Sequence, residues 1–247
     1  MKSLRTAVSF LTVVPVGRTE KAEPELMASS TAFYPLVGLM IGALLMLLDN
    51  ALSLFLQYPA RDGLMVAALA LMTGGLHLDG LADTADGFIG GKGDREKSLT
   101  IMKDSRLGSM GAATLVVVLI TKYAALRGIH NGNRPGALFL APALARYAAT
   151  QVMYRARPAR QGEGLLFDFL IFIRPKYFYT ALLTALAAAL IVARLRGFLA
   201  LLAVIVAAYL LKKFFCKNFG GITGDMVGAA TEVIEVIAFL ALGAAVQ

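Results

Sequence analysis

The 247 residues are 58% hydrophobic and only 16% charged, with a mean hydropathy of +0.70, which excludes an ordinary soluble domain. One cysteine, Cys216, excludes an internal disulfide, and two histidines, His77 and His130, are too few to expect a Cys/His zinc site. The net charge of +8 leaves nucleic acid, lipid headgroups and anionic substrates open until the charges are placed along the chain.

In chain order, residues 1–30 read as an interfacial amphipathic segment: an apolar stretch at the start has no small-residue cleavage site after it. Seven stretches then approach the roughly 17–25 apolar residues of a spanning helix. They are Pro35–Gln57, Gly63–Leu78, Leu107–Leu126, Gly136–Tyr154, Tyr177–Ala193, Gly197–Leu211 and Met226–Val246. The second and sixth are short, and the second runs on into a stretch rich in aspartate. No internal repeat or low-complexity linker divides the chain. The expectation is all-α: a polytopic membrane helical bundle forming one domain over 1–247.

The loops set its orientation. Lys2, Arg5, Arg18 and Lys21, five Lys/Arg in 79–106, five in 155–176 and three in 212–225 place 17 basic residues on one side. The other side has five: Arg61, Arg127, Arg134, Arg194 and Arg196. Cytoplasmic loops carry the Lys/Arg excess, so the N-terminus is expected in the cytoplasm. That makes a multi-pass protein of the cytoplasmic (inner) membrane, with the lipid bilayer rather than nucleic acid as its partner. Homo-oligomerisation is left open.

The unusual chemistry falls on the same side. "GGLHLDGLADTADGF", Gly74–Phe88, spaces Asp79, Asp83 and Asp86 at i, i+4 and i+7. On a helix these carboxylates share one face and repel one another, so a counter-charge is required. Oxygen-only ligands point to magnesium, calcium or manganese. Gly80, Ala82, Thr84, Ala85 and Gly87 leave room for a backbone or a bulky substrate to approach. His77 reads either as a metal ligand or proton carrier, or as a hydrogen-bonded interfacial histidine.

"GGKGDREKS", Gly90–Ser98, is not a P-loop, because Gly93 follows Lys92 where Ser or Thr is required. It is still expected to be a flexible cationic stretch with Lys92, Arg95 and Lys97. In "IMKDSRLGSMG", Ile101–Gly111, Lys103 and Arg106 precede a membrane helix, where they suit phosphate binding. Asp104 either completes a metal site or orients Arg106. In "GGITGDMVGAATEVIE", Gly220–Glu235, Gly220, Gly221 and Gly224 suit an anion-binding nest beside Thr223 and Asp225. Glu232 and Glu235 share a helical face with Asp225 and should face a water-filled cavity or a partner, for which Lys122 and Arg146 are candidates, so they read either as a structural ion pair or as part of the substrate site. The arginines of 155–176 read as orientation signal or as ligand. Carboxylates for a hard cation facing Lys and Arg suit phosphoryl chemistry.

Together, "GGLHLDGLADTADGF", "IMKDSRLGSMG" and "GGITGD", with Phe10–Val16 and Phe33–Gly42, resemble the cobalamin synthase family, the adenosylcobinamide-GDP ribazoletransferases. The resemblance runs from one end of the chain to the other in the family's order. It implies a Mg2+-dependent membrane enzyme of cobalamin biosynthesis. A hydroxyl of α-ribazole, or its 5′-phosphate, attacks the cobinamide-bound phosphorus of adenosylcobinamide-GDP, and GMP leaves. On this reading Asp79, Asp83 and Asp86 hold metal, one of them or Asp104 takes the proton, Lys103 and Arg106 steady the leaving group, and Gly220, Gly221, Thr223 and Asp225 contact phosphate or ribose. Two rivals are a CDP-alcohol phosphotransferase, whose pattern wants Arg where Asp83 stands, and an ion-coupled transporter built on Asp49, Glu232 and Glu235.

Overall fold

The computed structural model describes residues 1–16, 23–160, 162 and 165–244. Arg18 and Lys21, counted above as basic residues, lie outside the described residues, as do the last positions of the Met226–Val246 stretch.

Eleven α-helices are described: α1 (Lys2–Leu11), α2 (Pro24–Ser30), α3 (Tyr34–Leu52), α4 (Ala60–Met72), α5 (Leu76–Gly91), α6 (Arg95–Ile101), α7 (Ser109–Arg127), α8 (Arg134–Met153), α9 (Leu165–Leu170), α10 (Pro175–Phe219) and α11 (Gly224–Gly243). Among the described residues there is no strand, only an isolated parallel bridge between Pro158 and Ile222. The chain is an all-α membrane protein. Val116, Val117 and Ile120 on α7 and Leu183, Ile191, Val206 and Leu210 on α10 present exposed hydrocarbon, as a lipid-facing surface does.

The expected spans map onto α3, α4, α7, α8, α10 and α11, but the count of seven is not reached on length and apolarity alone. Four helical stretches among the described residues meet that test, Pro24–Leu52, α7, α10 and α11, and a fifth does if α4 and α5 count as one broken span. Three of the expected spans account for the difference. Helix α8, with Arg146, Gln151 and two prolines in it, falls short on apolarity. Gly63–Leu78 is not one helix: Gly74 and Gly75 take φ of 61° and 71°, and the chain turns 89° between α4 and α5. The 45-residue α10 joins two of the expected spans across a non-helical Arg194 (φ 47°, ψ −128°), and Gly197 packs back onto the Ala189 carbonyl, so the chain reverses there. Its second arm runs to Phe219, past the expected end at Leu211.

Helix α8 is the hub, buried along most of its length and packed by α3, α10 and α11. Gly38 and Gly42 of α3, one turn apart, lie on the α8 backbone at Ala143 and Phe139. Small residues at this spacing let membrane helices approach backbone to backbone.

The two ends of the bundle differ. At one end Asp49 receives bidentate pairs from Arg61 (2.7 Å for the shorter contact) and Arg134 (2.9 Å), and Arg134 also reaches Asp62 at 2.7 Å. Three guanidinium groups, of Arg61, Arg134 and Arg127, lie 4.6, 4.9 and 5.4 Å from the Tyr58 ring centre. At the other end α5 lies across the first turns of α7 and α11. The 89° bend turns α5 across that end of the bundle, and Asp79, Asp83 and Asp86 lie beyond the expected Gly63–Leu78 span.

Candidate active site

The aspartate stretch is helical, so Asp79, Asp83 and Asp86 stand on one face of α5. Glycines bring that face to its neighbours. A Cβ on Gly80 would come within 2.6 Å of the Asp225 carbonyl, and one on Gly228 within 3.2 Å of the His77 Cα. Only glycines allow this crossing, and it sets Asp225 beside the α5 acids.

The three aspartates then part in role. Asp86 anchors α7: its Oδ2 accepts the Gly108 N–H and its Oδ1 the Gly111 N–H, both at 2.8 Å. The carboxylate satisfies two of the unpaired donors at the start of α7 and opposes the positive end of its dipole. Asp79 is exposed and Asp83 half-buried. Partial burial, together with the charges of Asp79, Asp225 and Asp86, pushes the Asp83 carboxyl up to about 6, and only the nearby Arg160 works against this. The repulsion expected from the spacing is therefore present.

Among the described residues, no three His, Cys, Asp or Glu side chains converge closely enough to cage a metal unaided. The carboxylates whose oxygens are not spent on α7 are Asp79, Asp83 and Asp225. An all-oxygen set of this kind suits a hard cation that takes one or two carboxylates and completes its shell with water and phosphate.

The cations arrive from elsewhere in the chain. Arg160 Nη2 lies 3.9 Å from Asp225 Oδ2 and donates to the Leu99 carbonyl at 3.1 Å. Arg95 donates to the Ala159 carbonyl at 2.8 Å and lies over Gly220. Residues 90–98, expected to be flexible, instead form the end of α5, a turn through Lys92 (φ 52°) and Gly93 (φ 88°), and α6. Asp94 caps α6 by accepting the Lys97 N–H at 3.1 Å, and Gly91 presses on Ser98.

Asp104 meets Arg106, the partner in one of the two roles open for it. Arg106 Nη2 meets Asp104 Oδ2 at 2.6 Å and the Arg106 backbone N–H meets Oδ1 at 3.1 Å. Hydrogen bonds from Arg106 hold the Asp104 carboxyl down at about 2. Arg106 is 87% exposed. With Lys92, Asp86 and the start of α7 it borders an open cavity of about 560 Å³; Lys103, which follows α6 in the chain, is not part of its lining. A larger cavity of about 680 Å³ lies at the opposite end, beside Arg194 and Arg196, and no carboxylate among the described residues lines it.

The glycine-rich turn before α11 does more packing than expected. Gly221 presses on the backbone of 157–159, Ile222 donates to the Arg157 carbonyl and Ala159 to the Ile222 carbonyl, both at 2.9 Å. The Gly220 N–H is spent on the Cys216 carbonyl at 3.1 Å. Thr223 caps α11, accepting the Met226 N–H at 3.3 Å and donating to Asp225 at 3.2 Å. As a nest, the turn thus has N–H groups already engaged inside the chain.

Beneath the site is a buried ionic group. Lys122 Nζ donates to Glu232 at 2.6 Å and to Glu235 at 2.7 Å, and Arg146 pairs with Glu235. With Asp49 also paired, every acid that the transporter reading needed is held in a salt bridge. His77, between this group and Asp79, is buried, and its Nδ1 has no hydrogen-bond partner among the described residues.

The sequence did not single out Arg160 among the five basic residues of its loop. Its contacts with Leu99 and Asp225 join positions about 60 residues apart, and no local pattern marks them.

The family model described as cobalamin-5-phosphate synthase matches residues 3–243. A relative from Roseiflexus sp. (strain RS-1) is 38% identical over 236 residues, 96% of this chain and 87% of its own. One from Pseudomonas fluorescens (strain Pf0-1) is 36% identical over 98% of this chain and 99% of its own. A third, from Geotalea daltonii, is 36% identical over 96% of this chain and 94% of its own. All three are named adenosylcobinamide-GDP ribazoletransferase. No solved structure matches. The chain belongs to the cobalamin-5-phosphate synthase family and is a transferase of cobalamin biosynthesis.

Proposed function

We propose that this family member joins the cobinamide-phosphate part of adenosylcobinamide-GDP to α-ribazole or its 5′-phosphate. The reaction is proposed to occur at the cytoplasmic face of the inner membrane, with Mg2+. The observation that carries the reading is the α5 acid face, lying across the first turns of α7 and α11 with Arg160 against Asp225. The names of the relatives supply the substrates, and the distribution of Lys and Arg supplies the face.

Asp79 and Asp83 would hold the metal, with Asp225 beside them and phosphate oxygens completing the shell. Bound there, Mg2+ would neutralise the diphosphate and align the attacking and leaving oxygens. The acceptor hydroxyl forms a new P–O bond to the cobinamide-bound phosphorus. The P–O bond of the anhydride breaks, GMP carries away its electron pair, and the hydroxyl proton passes to a carboxylate of the Asp79–Asp83–Asp225 group. Asp104, already tied to Arg106 and strongly acidic, is a poor acceptor for that proton. Arg160, with Lys92 and Arg106 around the α7 cavity and Lys103 beside Asp104 in the chain, would offset charge on the phosphates.

The test incubates purified protein with adenosylcobinamide-GDP and α-ribazole, with and without Mg2+. GMP and a cobamide in equal amounts, only with Mg2+, are expected. GMP without cobamide, or equal rates in chelator, would contradict the reading. Conversion of CDP-diacylglycerol and an alcohol instead would favour the CDP-alcohol class.

A further inference from the structure

Phe10, Tyr34, Met153, Leu166 and Val227 line a cavity of about 200 Å³ where α1, α3, α8, α9 and α11 meet the start of α5. Its wall is hydrocarbon and aromatic except on one side. Asp79 and Asp225 stand there, with His77 beside them. His77 is 4% exposed and its Nδ1 has no hydrogen-bond partner among the described residues. An apolar and aromatic lining suits the faces of a flat ring, and the two carboxylates suit a polar end of the same ligand.

We infer that this cavity seats the base of the acceptor nucleoside, a flat, apolar, bicyclic heteroaromatic ring. The inference rests on the proposed ribazole acceptor and locates it. The volume suits a bicyclic base and is far too small for a corrin macrocycle. Guanine would also fit by size, but its several polar edges would lie unpaired against hydrocarbon, and sites reject ligands on that account strongly. An acyl chain would fill the space but bring no polar group to the side where Asp79 and Asp225 stand. With the base inside, the ribose emerges beside Asp79 and Asp225, which delivers its hydroxyl to the acid group. The corrin and its diphosphate stay outside, toward α7.

Initial rates of GMP release by the full chain in detergent, with each substrate varied in turn, test this. Val227→Phe fills the cavity and is expected to raise KM for α-ribazole about tenfold, or more, while KM for the activated corrinoid stays within about twofold. Leu166→Trp, which narrows the cavity from α9, is expected to raise the acceptor KM in the same way. In the wild-type chain, free benzimidazole competes with α-ribazole and not with the corrinoid, and guanosine does not compete with α-ribazole. This arm stands even where a variant fails to fold. An unchanged acceptor KM in both variants, a shift in the corrinoid KM instead, or benzimidazole that fails to compete overturns the assignment while the proposed function stands. A lipid recovered with the wild type and lost from Val227→Phe without change in acceptor KM makes the cavity a lipid site. A wild type that releases no GMP at all contradicts both.

Discussion

Asp86 on α5 holds the start of α7 by accepting the Gly108 N–H at 2.8 Å, and its other oxygen holds Gly111 at the same distance. The residue before α7 is a glycine with no side chain to cap the helix, so the cap comes from another helix. Asp86→Ala should cost about 1.5–3 kcal/mol, the range for hydrogen bonds to a charged group, read as a lower melting temperature in detergent. Asp86→Asn should recover part of the stability and leave Mg2+ affinity near wild type. A large loss of Mg2+ affinity at unchanged stability would instead restore Asp86 to the metal.

Asp79→Asn and Asp83→Asn are expected to behave in the opposite way. Neither carboxylate is spent on α7, so their loss should leave the fold largely intact. GMP release should fall by a factor on the order of 10²–10⁴, as when a positioned proton acceptor or charge is removed. Full turnover by Asp83→Asn would remove it from the site.

Acid should weaken the metal. The Asp83 carboxyl is raised to about 6 by burial and by its acidic neighbours, so below that pH a proton competes with the cation. Mg2+ activation titrated at pH 5.5, 6.5 and 7.5 should need the most metal at the lowest pH. The stability effect follows the same group. A raised carboxyl stabilises the fold below its ordinary range, and that contribution is lost as pH rises to about 6. Added Mg2+ should therefore raise the melting temperature more at pH 7.5 than at pH 5.5. Equal shifts at both pH values would contradict this.

Removing one member of the buried group should be severe. Lys122→Met leaves Glu232 and Glu235 with fewer partners inside the bundle, and breaking a buried pair costs roughly 3–5 kcal/mol. Adding Glu232→Gln, which removes the surplus negative charge, should recover much of the loss. Thermal unfolding of the single and double variants checks the coupling; additive losses would contradict it.

The long elements were legible in the sequence because lipid demands long apolar runs, and α3, α7, α8 and α11 fall within a few residues of the expected spans. The α4–α5 turn carried a signal, the paired Gly74–Gly75, but the apolar run through it hid the break. The partnership of Lys122 and Arg146 with Glu232 and Glu235 followed from the cost of unpaired charge in a span. The division of labour within the aspartate motif did not, because helical spacing gives Asp79, Asp83 and Asp86 the same face and says nothing of what crosses it. Gly108 and Gly111 meet Asp86 from 22 and 25 residues away. Gly220 and Gly221, read as loosening the backbone for an anion, are there so that Arg95 and the 157–159 backbone can pack against them.

The most direct measurement uses Mn2+ in place of Mg2+ and follows the phosphorus resonances of adenosylcobinamide-GDP on the protein. If the α5 acids hold the cation on the diphosphate, both signals broaden strongly with wild type. The broadening is then lost with the Asp79→Asn, Asp83→Asn double variant while melting stays near wild type. Broadening that survives in the double variant, or wild type that binds the substrate without broadening, would contradict the account.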